Sequence, residues 1–513
     1  MTTTSPTFVV RSAHTLAIPL LGVLAAVQGS APNIAATALV GASRGLDMVG
    51  GDQALAASMQ TLAIAASVIT TGLLADRIGR RRMLIAALVT GLVGQLIVAA
   101  APMPLVYILG QAVTGVGLGA VYAAAFAYIQ VLAAPGRLPA AVATFAACSG
   151  AAGVLFTFSG GLLAGVDWRL AFVLVPVLSA LCIPAVLVLL PTVAPTVAEK
   201  RDVGGQVALI AGMVVFLFGV SQLASSLTNP LTWAAMALGV VLLAAFVWSQ
   251  TRVANPFFPV ALFRRPLFLA ALCAGFVFNA GGAVAFLQLS NLWQYVLALT
   301  PSSVAVWQLP VSVTSIVGAI VLGRLMTRGM SPQTSLLVGG VLSAAGFGAA
   351  FLAREAPTPL AFVPAGILIA VGITAAALPY GTLVLSEAPA EFYGAVTSSR
   401  TTFGQLFSSL GTAVSTVVIT QLTISGITAR LSAAGLSDAA VHTALVGVGT
   451  YAKDGTRPDA QVFDAAVAAY RDGFGALMVG MAVVALAASV AGSALIARAS
   501  RAVPTSGSGG APS

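Results

Sequence analysis

Long apolar runs, separated by short polar segments, fill the chain from about residue 15 to about residue 497. Each run is close to the roughly 20 residues that an α-helix needs to cross the hydrocarbon core of a bilayer, where the backbone must satisfy its own polar groups. We therefore predict an all-α polytopic membrane protein with fourteen transmembrane helices, at residues 15–38, 53–75, 83–101, 104–130, 138–163, 169–190, 204–226, 231–250, 267–297, 302–327, 333–353, 358–386, 400–424 and 473–497.

The composition fits a membrane protein and argues against a nucleic-acid-binding one. Of the 513 residues, 59% are hydrophobic and 7% are charged, whereas soluble domains carry roughly a quarter charged residues. The net charge is +9, but the basic residues form no continuous stripe that could follow a phosphate backbone. Cys148, Cys182 and Cys273 lie far apart within apolar runs, so we expect buried hydrophobic side chains and no disulfide or metal site.

The distribution of basic residues orients the chain. An even number of spans puts both termini on one side, and sixteen of the 23 Lys and Arg fall on that side. Because loops rich in Lys and Arg stay in the cytoplasm, we predict a multi-pass protein of the cell inner (plasma) membrane with both termini cytoplasmic. All fourteen Asp and Glu, and every Lys and Arg, are expected in loops or at span ends.

A charged segment follows the second predicted span. It runs from Gly72 to Arg82 and reads Gly-Leu-Leu-Ala-Asp-Arg-Ile-Gly-Arg-Arg-Arg. Glycine at position 72 lets two helices approach closely, and Gly79 permits a tight turn. Asp76 is suited to bind the N-terminus of a neighbouring helix, where the helix dipole is positive. These residues indicate a structured turn and not merely a basic loop.

This segment resembles the signature loop of the major facilitator superfamily, whose members are secondary transporters. The resemblance implies that the charge cluster stabilises one conformation of an alternating-access cycle, with this conformational role at Gly72, Asp76, Arg77, Gly79, Arg80 and Arg81. A weaker copy, Gly-Arg-Leu-Met-Thr-Arg-Gly, occupies residues 323–329 after the tenth span. Two copies imply two homologous six-helix bundles plus an inserted two-helix hairpin.

The predicted domains follow from this repeat. They are a cytoplasmic tail at 1–14, an N-terminal six-helix bundle at 15–190, a two-helix hairpin at 204–250, a C-terminal six-helix bundle at 267–497 and a cytoplasmic tail at 498–513. Within the second bundle, residues 424–472 form a long extracellular loop that we expect to hold short amphipathic helices.

Further segments resemble the fourteen-span drug:proton antiporter family, the multidrug efflux type. Trp-Arg at 168–169 opens span six, Leu-Pro at 309–310 lies in span ten, and Arg-Thr-Thr-Phe-Gly-Gln at 400–405 begins span thirteen. The long extracellular loop before the last span also fits that branch. The resemblance implies export of small compounds in exchange for protons.

Three departures from that family concern the coupling to protons. Gln111 replaces a basic residue in span four, the span-five segment 156–161 lacks the family's Gly-Pro, and span one has Gln28 where relatives often carry an acidic residue. Coupling requires a group that gains and loses a proton with access to the cavity. We therefore expect weak or absent proton coupling. The alternative is coupling through one of three peripheral carboxylates, Asp47, Asp52 and Asp76.

Polar side chains inside the predicted spans must face a cavity or a partner helix, because lipid offers them no hydrogen bond. The resemblance places spans one, four, nine and twelve around a central cavity. We predict a neutral, amide-lined substrate cavity formed by Gln28, Asn33, Gln111, Thr114, Asn279, Gln288, Asn291, Gln294, Gln308 and Tyr380. For each of these side chains the alternative is a hydrogen bond between helices.

Together these features favour a secondary active or facilitative transporter that exports small apolar or amphipathic compounds. A lipid or lipid-linked translocator and an uptake carrier for a neutral solute stay open as alternatives. An enzyme is disfavoured because acid–base catalysis usually needs a placed His or carboxylate, whereas His14 and His442 lie in a tail and a loop. The Gly-Lys-Ser/Thr sequence of an ATP-binding loop does not occur. We expect a monomer in the bilayer with a small-molecule substrate and no cofactor, metal or nucleic acid.

Overall fold

The computed structural model describes residues 7–132, 138–192, 203–253, 260–387 and 393–502, and all regular secondary structure within these ranges is helical. The α-helices are α1 (Thr7–Gly45), α2 (Gly51–Ile78), α3 (Arg80–Ala99), α4 (Pro104–Leu132), α5 (Leu138–Val166), α6 (Trp168–Ala171), α7 (Leu174–Leu189), α8 (Val203–Gln222), α9 (Pro230–Gln250), α10 (Pro266–Tyr295), α11 (Pro301–Thr327), α12 (Pro332–Leu352), α13 (Val363–Ser386), α14 (Tyr393–Ala433), α15 (Asp438–Asp454) and α16 (Ala460–Ala502). Short 3-10 turns occupy Val260–Arg264, Ala353–Glu355 and Pro359–Phe362.

The described helices account for the predicted spans. Thirteen segments are long and apolar enough to cross a membrane, with α6 and α7 together forming one of them, Trp168–Leu189. The 28-residue helix α2 packs against α4 and α14 and takes the remaining position in the set of fourteen. The prediction of an all-α polytopic membrane protein is confirmed.

Several helices extend beyond their predicted ends. Helix α1 begins at Thr7, α14 spans Tyr393–Ala433 instead of 400–424, and α16 spans Ala460–Ala502 instead of 473–497. The predicted loop at 424–472 is therefore largely helical and contains α15. Its helices pack around an apolar cluster of their own, formed by Ile427, Leu431, Val441, Ala444, Val462 and Ala469. Apolar runs mark where a helix is lipid-compatible, and this cluster lets the helices continue past that limit.

The helix ends gather at two opposite faces. The terminal face carries the turns near residues 79, 190–192, 251–253, 260–265, 328–331 and 387, and the distal face carries those near residues 45–50, 100–103, 167–172, 296–300 and 353–362. At the distal face, Arg169 Nη1 donates to the carbonyls of Ala99 and Ala101 at 2.7 and 2.8 Å, which joins two turns. At the terminal face, Arg265 forms a 3.3 Å ion pair with Glu387.

The two halves pack their helices in matching pairs. Contacts of α1 with α5, α2 with α4, α3 with α4 and α3 with α7 in the first half correspond to contacts of α10 with α14, α11 with α13, α12 with α13 and α12 with α16 in the second. The two predicted signature turns also match, because Gly79 and Gly329 both have positive φ, +94° and +105°. The two six-helix bundles are confirmed as an architecture, while the exact domain limits stay a prediction.

The halves meet at two equivalent interfaces. Helix α2 packs against α14, and α5 packs against α11, which is the same pairing with the halves exchanged. The hairpin of α8 and α9 packs mainly on itself, with α8 against α2 and α14. The inserted hairpin therefore lies beside one of the two interfaces and leaves the twofold arrangement intact.

Close helix approach holds each half together. A Cβ atom on Gly117 of α4 would lie 2.4 Å from the backbone nitrogen of Gly91, and one on Gly372 of α13 would lie 2.4 Å from that of Ser343. Helix association in lipid depends on such contacts, because the hydrophobic effect does not drive one apolar helix onto another. The same device therefore appears at the corresponding contact, α3–α4 and α12–α13, of both halves.

Replacing Gly117 with Val should destabilise the protein by about 3 kcal/mol or more, since overpacking usually costs ~1–3 kcal/mol and here the obstacle is backbone. The fraction of monodisperse protein and the thermal midpoint in detergent measure the effect. Gly480→Val is the matched control, because Gly480 on α16 is exposed and has nothing within 4 Å of the added Cβ. Equal behaviour of the two variants would show that α3 and α4 are further apart than described.

Candidate transport pathway

The signature turn lies at the terminal face. Helix α2 ends at Ile78, α3 begins at Arg80, and Gly79 between them adopts the positive φ that favours glycine. The guanidinium of Arg81 donates to the carbonyl of Leu187, which ties the start of α3 to the end of α7. Gly72, Asp76 and Arg77 lie on α2, but their side-chain environment is outside the described part of the structure. Their conformational role therefore stays a prediction.

The ten predicted cavity residues divide into two groups. Asn33 and Asn279 are partly exposed. The others are buried, namely Gln28, Gln111, Thr114, Gln288, Asn291, Gln294, Gln308 and Tyr380. In this conformation most of the predicted lining is thus enclosed between helices.

Helix α10 uses its buried amides to contact its neighbours. Gln288 Nε2 donates to Ser415 Oγ of α14 at 2.8 Å, and Asn291 Nδ2 donates to Gln288 Oε1 at 3.4 Å. One turn further on, Gln294 Nε2 donates to the carbonyl of Thr37 in α1 at 3.2 Å. The Gln288–Ser415 bond fixes α10 to α14 within its own half, the Asn291–Gln288 bond lies within α10, and the Gln294 bond crosses to the other half.

The buried polar residues of the first half are less completely paired. Gln111 Nε2 donates to Tyr107 Oη at 3.1 Å, but Gln111 Oε1 and Gln28 Nε2 are buried without a partner. Thr114 is at the α3–α4 contact, since a Cβ on Gly94 would lie 2.5 Å from Thr114 Oγ1. An unpaired buried amide is costly unless a water or a ligand atom meets it. Gln28 and Gln111 therefore remain available for such an atom, whereas Thr114 is occupied in packing.

The partly exposed polar residues face an internal space. Helix α1 is surrounded by α2, α4, α5, α7 and α10, and α10 by α1, α11, α13, α14 and α16. Asn33 and Asn279 lie well inside these helices, with Asn33 one turn from the exposed Gly29. Since lipid does not reach such positions, their exposure marks a cavity between the halves.

Two aromatic residues join Asn279 on that surface. Phe276 and Phe407 are partly exposed and contact each other edge to face, with ring centroids 5.6 Å apart. Ser408 Oγ of α14 donates to the carbonyl of Asn279 at 3.3 Å. The sequence analysis did not select the two phenylalanines. The three-residue spacing of Phe276 and Asn279, which puts both on one helix face, was the available indication.

Arg400 lies further inside its helix than the sequence predicts. It was expected at the edge of span thirteen, but α14 begins at Tyr393, so Arg400 lies about 10 Å inside the helix. Its guanidinium stacks on the ring of Tyr380 with a Cζ–centroid distance of 5.2 Å, and its buried Nε has no partner. Tyr380 Oη donates to the Arg400 carbonyl. The helix begins before the apolar run, so Arg400 is helical at the end of the spanning segment Ser399–Ala433, beside α13.

Two matched helical halves, two equivalent interfaces and a polar, aromatic surface between them define a secondary carrier. The chain belongs to the Major Facilitator Superfamily, which it matches over residues 20–412. Members of this superfamily transport small molecules across membranes. The chain is accordingly a multi-pass membrane protein.

Curated relatives place the resemblance among efflux proteins. The chain is 31% identical to a multidrug resistance protein B homologue of Mycobacterium tuberculosis over 72% of this chain and 70% of the relative. It is also 31% identical to the puromycin resistance protein pur8 of Streptomyces alboniger, over 84% of this chain and 86% of the relative. The predicted resemblance to multidrug efflux carriers is confirmed.

A solved structure supports the fold independently. A bacterial homologue of the human lysosomal transporter Spinster, in an inward-facing and occupied conformation, superposes with a TM-score of 0.66. The match covers 96% of this chain and 97% of that chain at 14% identity. At this identity the likeness concerns the fold alone.

The two groups of polar residues should respond differently to substitution. Asn33→Ala should weaken apparent substrate affinity by up to about tenfold, the worth of one hydrogen bond, without changing the thermal midpoint. Gln288→Ala should do the reverse, since it removes the bond to Ser415 and the acceptor of Asn291 Nδ2, which costs about 1 kcal/mol of stability. Concentration-dependent transport in proteoliposomes and thermal unfolding in detergent separate the two effects. A loss of affinity in Gln288→Ala alone would assign the pathway to the buried amides.

Proposed function

We propose that this protein exports small apolar or amphipathic compounds across the cell inner membrane by alternating access. The observation that carries the proposal is the surface between the halves, where Asn33, Asn279, Phe276 and Phe407 are partly exposed inside surrounded helices. Such a surface offers aromatic area and a few neutral hydrogen-bonding groups. These suit compounds that are mostly apolar. The efflux and resistance functions named for the relatives agree with this assignment.

Alternating access requires the halves to separate at the distal face, where they are now joined. Gln53 Nε2 of α2 donates to Tyr295 Oη of α10 at 2.9 Å. A Cβ on Gly161 of α5 would lie 2.4 Å from the Cβ of Ala305 in α11. Together with the Gln294–Thr37 bond, these contacts close the pathway at this face. One chain supplies both halves of the pathway, so we propose that the monomer is sufficient.

The charges near the pathway should exclude permanent cations. Among the described residues, acidic side chains lie at helix ends and in the distal-face segment 424–472. Arg400 adds a positive charge beside Tyr380. An unpaired cation in a low-dielectric cavity costs several kcal/mol. A neutral compound and its quaternary ammonium derivative should therefore differ in export.

This selectivity tests the proposed function directly. Cells that produce the protein should accumulate less of the neutral compound than cells without it, while the quaternary ammonium derivative should bind at least about a hundredfold more weakly to purified protein. The transport-inactive control is the protein with its two halves cross-linked at the distal face. Equal accumulation with and without the protein, across a panel of neutral lipophilic compounds, would refute export.

Proton coupling is proposed to be weak or absent. Asp47 and Asp52 lie at the distal ends of α1 and α2, away from Asn33 and Asn279. Reconstituted protein should equilibrate substrate across liposomes and should not accumulate it when a pH gradient is imposed. Sustained accumulation that collapses on adding a protonophore would establish coupling. Its loss in Asp47→Asn, Asp52→Asn or Asp76→Asn would then identify the carboxylate.

The terminal face is proposed to be cytoplasmic, on the excess of basic residues it carries. In a background in which Cys148, Cys182 and Cys273 are replaced by Ser, Ala434→Cys at the distal face should react with an impermeant maleimide in intact cells. Thr327→Cys at the terminal face should react only after permeabilisation. Both positions are exposed, so accessibility within the fold does not bias the comparison. The opposite labelling pattern would reverse the topology.

A further inference from the structure

A second cavity opens at the distal face, apart from the surface around Asn33 and Asn279. It has a volume of about 570 Å³ and lies between the end of α1, the turn between α5 and α6, the turn between α10 and α11, and the segment that follows α15. Small-molecule sites usually measure ~300–1,000 Å³. Because both halves and the α15 segment contribute, this cavity exists only while the distal face is closed.

The cavity carries two arginines. Arg44 at the end of α1 and Arg457 after α15 both line it, and neither forms an ion pair within the described part of the chain. The Arg44 guanidinium lies 5.8 Å from the ring centroid of Tyr295 and 5.6 Å from that of Tyr451, and its buried Nε has no hydrogen-bond partner. An anion would accept a hydrogen bond from such an unpaired donor and would also be attracted to the positive charge.

Among the described lining residues one is acidic, and its side chain already accepts a hydrogen bond. Asp167 Oδ1 accepts the backbone N–H of Arg169 at 2.8 Å as the N-cap of α6. Its charge offsets one arginine, which leaves the described lining residues with an excess of one positive charge. The cavity therefore favours an anion over a cation or a neutral compound.

Part of the remaining lining is apolar. Trp168 contributes an indole ring, and Leu299 and Pro301 contribute aliphatic surface from the turn before α11. Gly455 has φ +82°, and a Cβ there would lie 3.9 Å from Arg44 Cζ, so the segment after α15 passes close to the guanidinium. An aromatic body would lie along this wall while its acidic group reaches the arginines.

We propose that this cavity binds an organic anion, an aromatic carboxylate or sulfonate, with its acidic group between Arg44 and Arg457 and its ring system against Trp168. Because a ligand that binds one conformation shifts the equilibrium toward it, the bound anion stabilises the closed distal face. It thereby slows transport when present on that side.

The test compares naphthalene-2-carboxylate with its neutral isostere naphthalene-2-carboxamide, by calorimetry on the purified full-length protein. The carboxylate should bind at least about tenfold more tightly, as expected for hydrogen bonds to a charged group. Arg44→Gln and Arg457→Gln should each abolish most of this preference, and Arg44→Lys should keep part of it. Equal binding of the two compounds, or a preference that survives in the double variant, would overturn the proposal.

Two controls make the result specific to this cavity. Arg430→Gln removes an arginine of the same face that pairs with Asp472 and does not line the cavity, so it should leave the preference unchanged. Asn279→Ala, in the proposed substrate surface, should also leave it unchanged, which separates this site from the export pathway. If Arg44→Gln fails to fold because its tyrosine contacts are lost, Arg457→Gln carries the test, since the Arg457 guanidinium stacks on Phe463 and not on the two tyrosines.

Discussion

The interior of a bilayer offers no hydrogen-bond partner, and the rest of this structure depends on that constraint. Each span must satisfy its own backbone, so the described spans are all helical. Apolar helices in lipid gain little by burying apolar surface, so they associate through close contact. Gly117 and Gly372 bring helices to backbone distance at the corresponding position of each half. The twofold arrangement of the molecule thus depends on close glycine contacts that recur in both halves and not on charge pairs.

The same constraint explains why the polar side chains fall into a paired, buried group and a partly exposed group. Gln288 and Gln294 find partners on neighbouring helices, and these bonds hold α10 against α14 and α1, while Asn291 donates to Gln288 within α10. Asn33 and Asn279 remain partly exposed inside surrounded helices. Rigid halves with a sparsely polar surface between them are what a carrier needs if it moves the halves as units around a largely apolar compound.

The distal face follows different rules because water reaches it. There Arg44 stacks with Tyr295 and Tyr451, Tyr451 Oη donates to the Tyr295 carbonyl at 3.1 Å, and α15 covers the junction of the two halves. Charged and aromatic groups accumulate here at the place where the halves must separate. Binding of a ligand in the cavity beside them and the stability of the closed state are therefore coupled, because both depend on this surface.

The sequence by itself determined the class of protein, the number of spans, the two signature turns and the family, because hydropathy over a helix length and a glycine-containing charged motif are local properties. Gly79 and Gly329, in the two signature turns, have the expected positive φ. The tertiary structure alone decided which polar residues face the pathway. The spans are apolar on all sides, so their sequence does not show which side of Asn279 or Gln288 meets a neighbour. It also decided that Arg400 lies inside a helix and that Arg44 and Arg457, distant in sequence, line one cavity, because helix ends and inter-helix contacts depend on packing between distant segments.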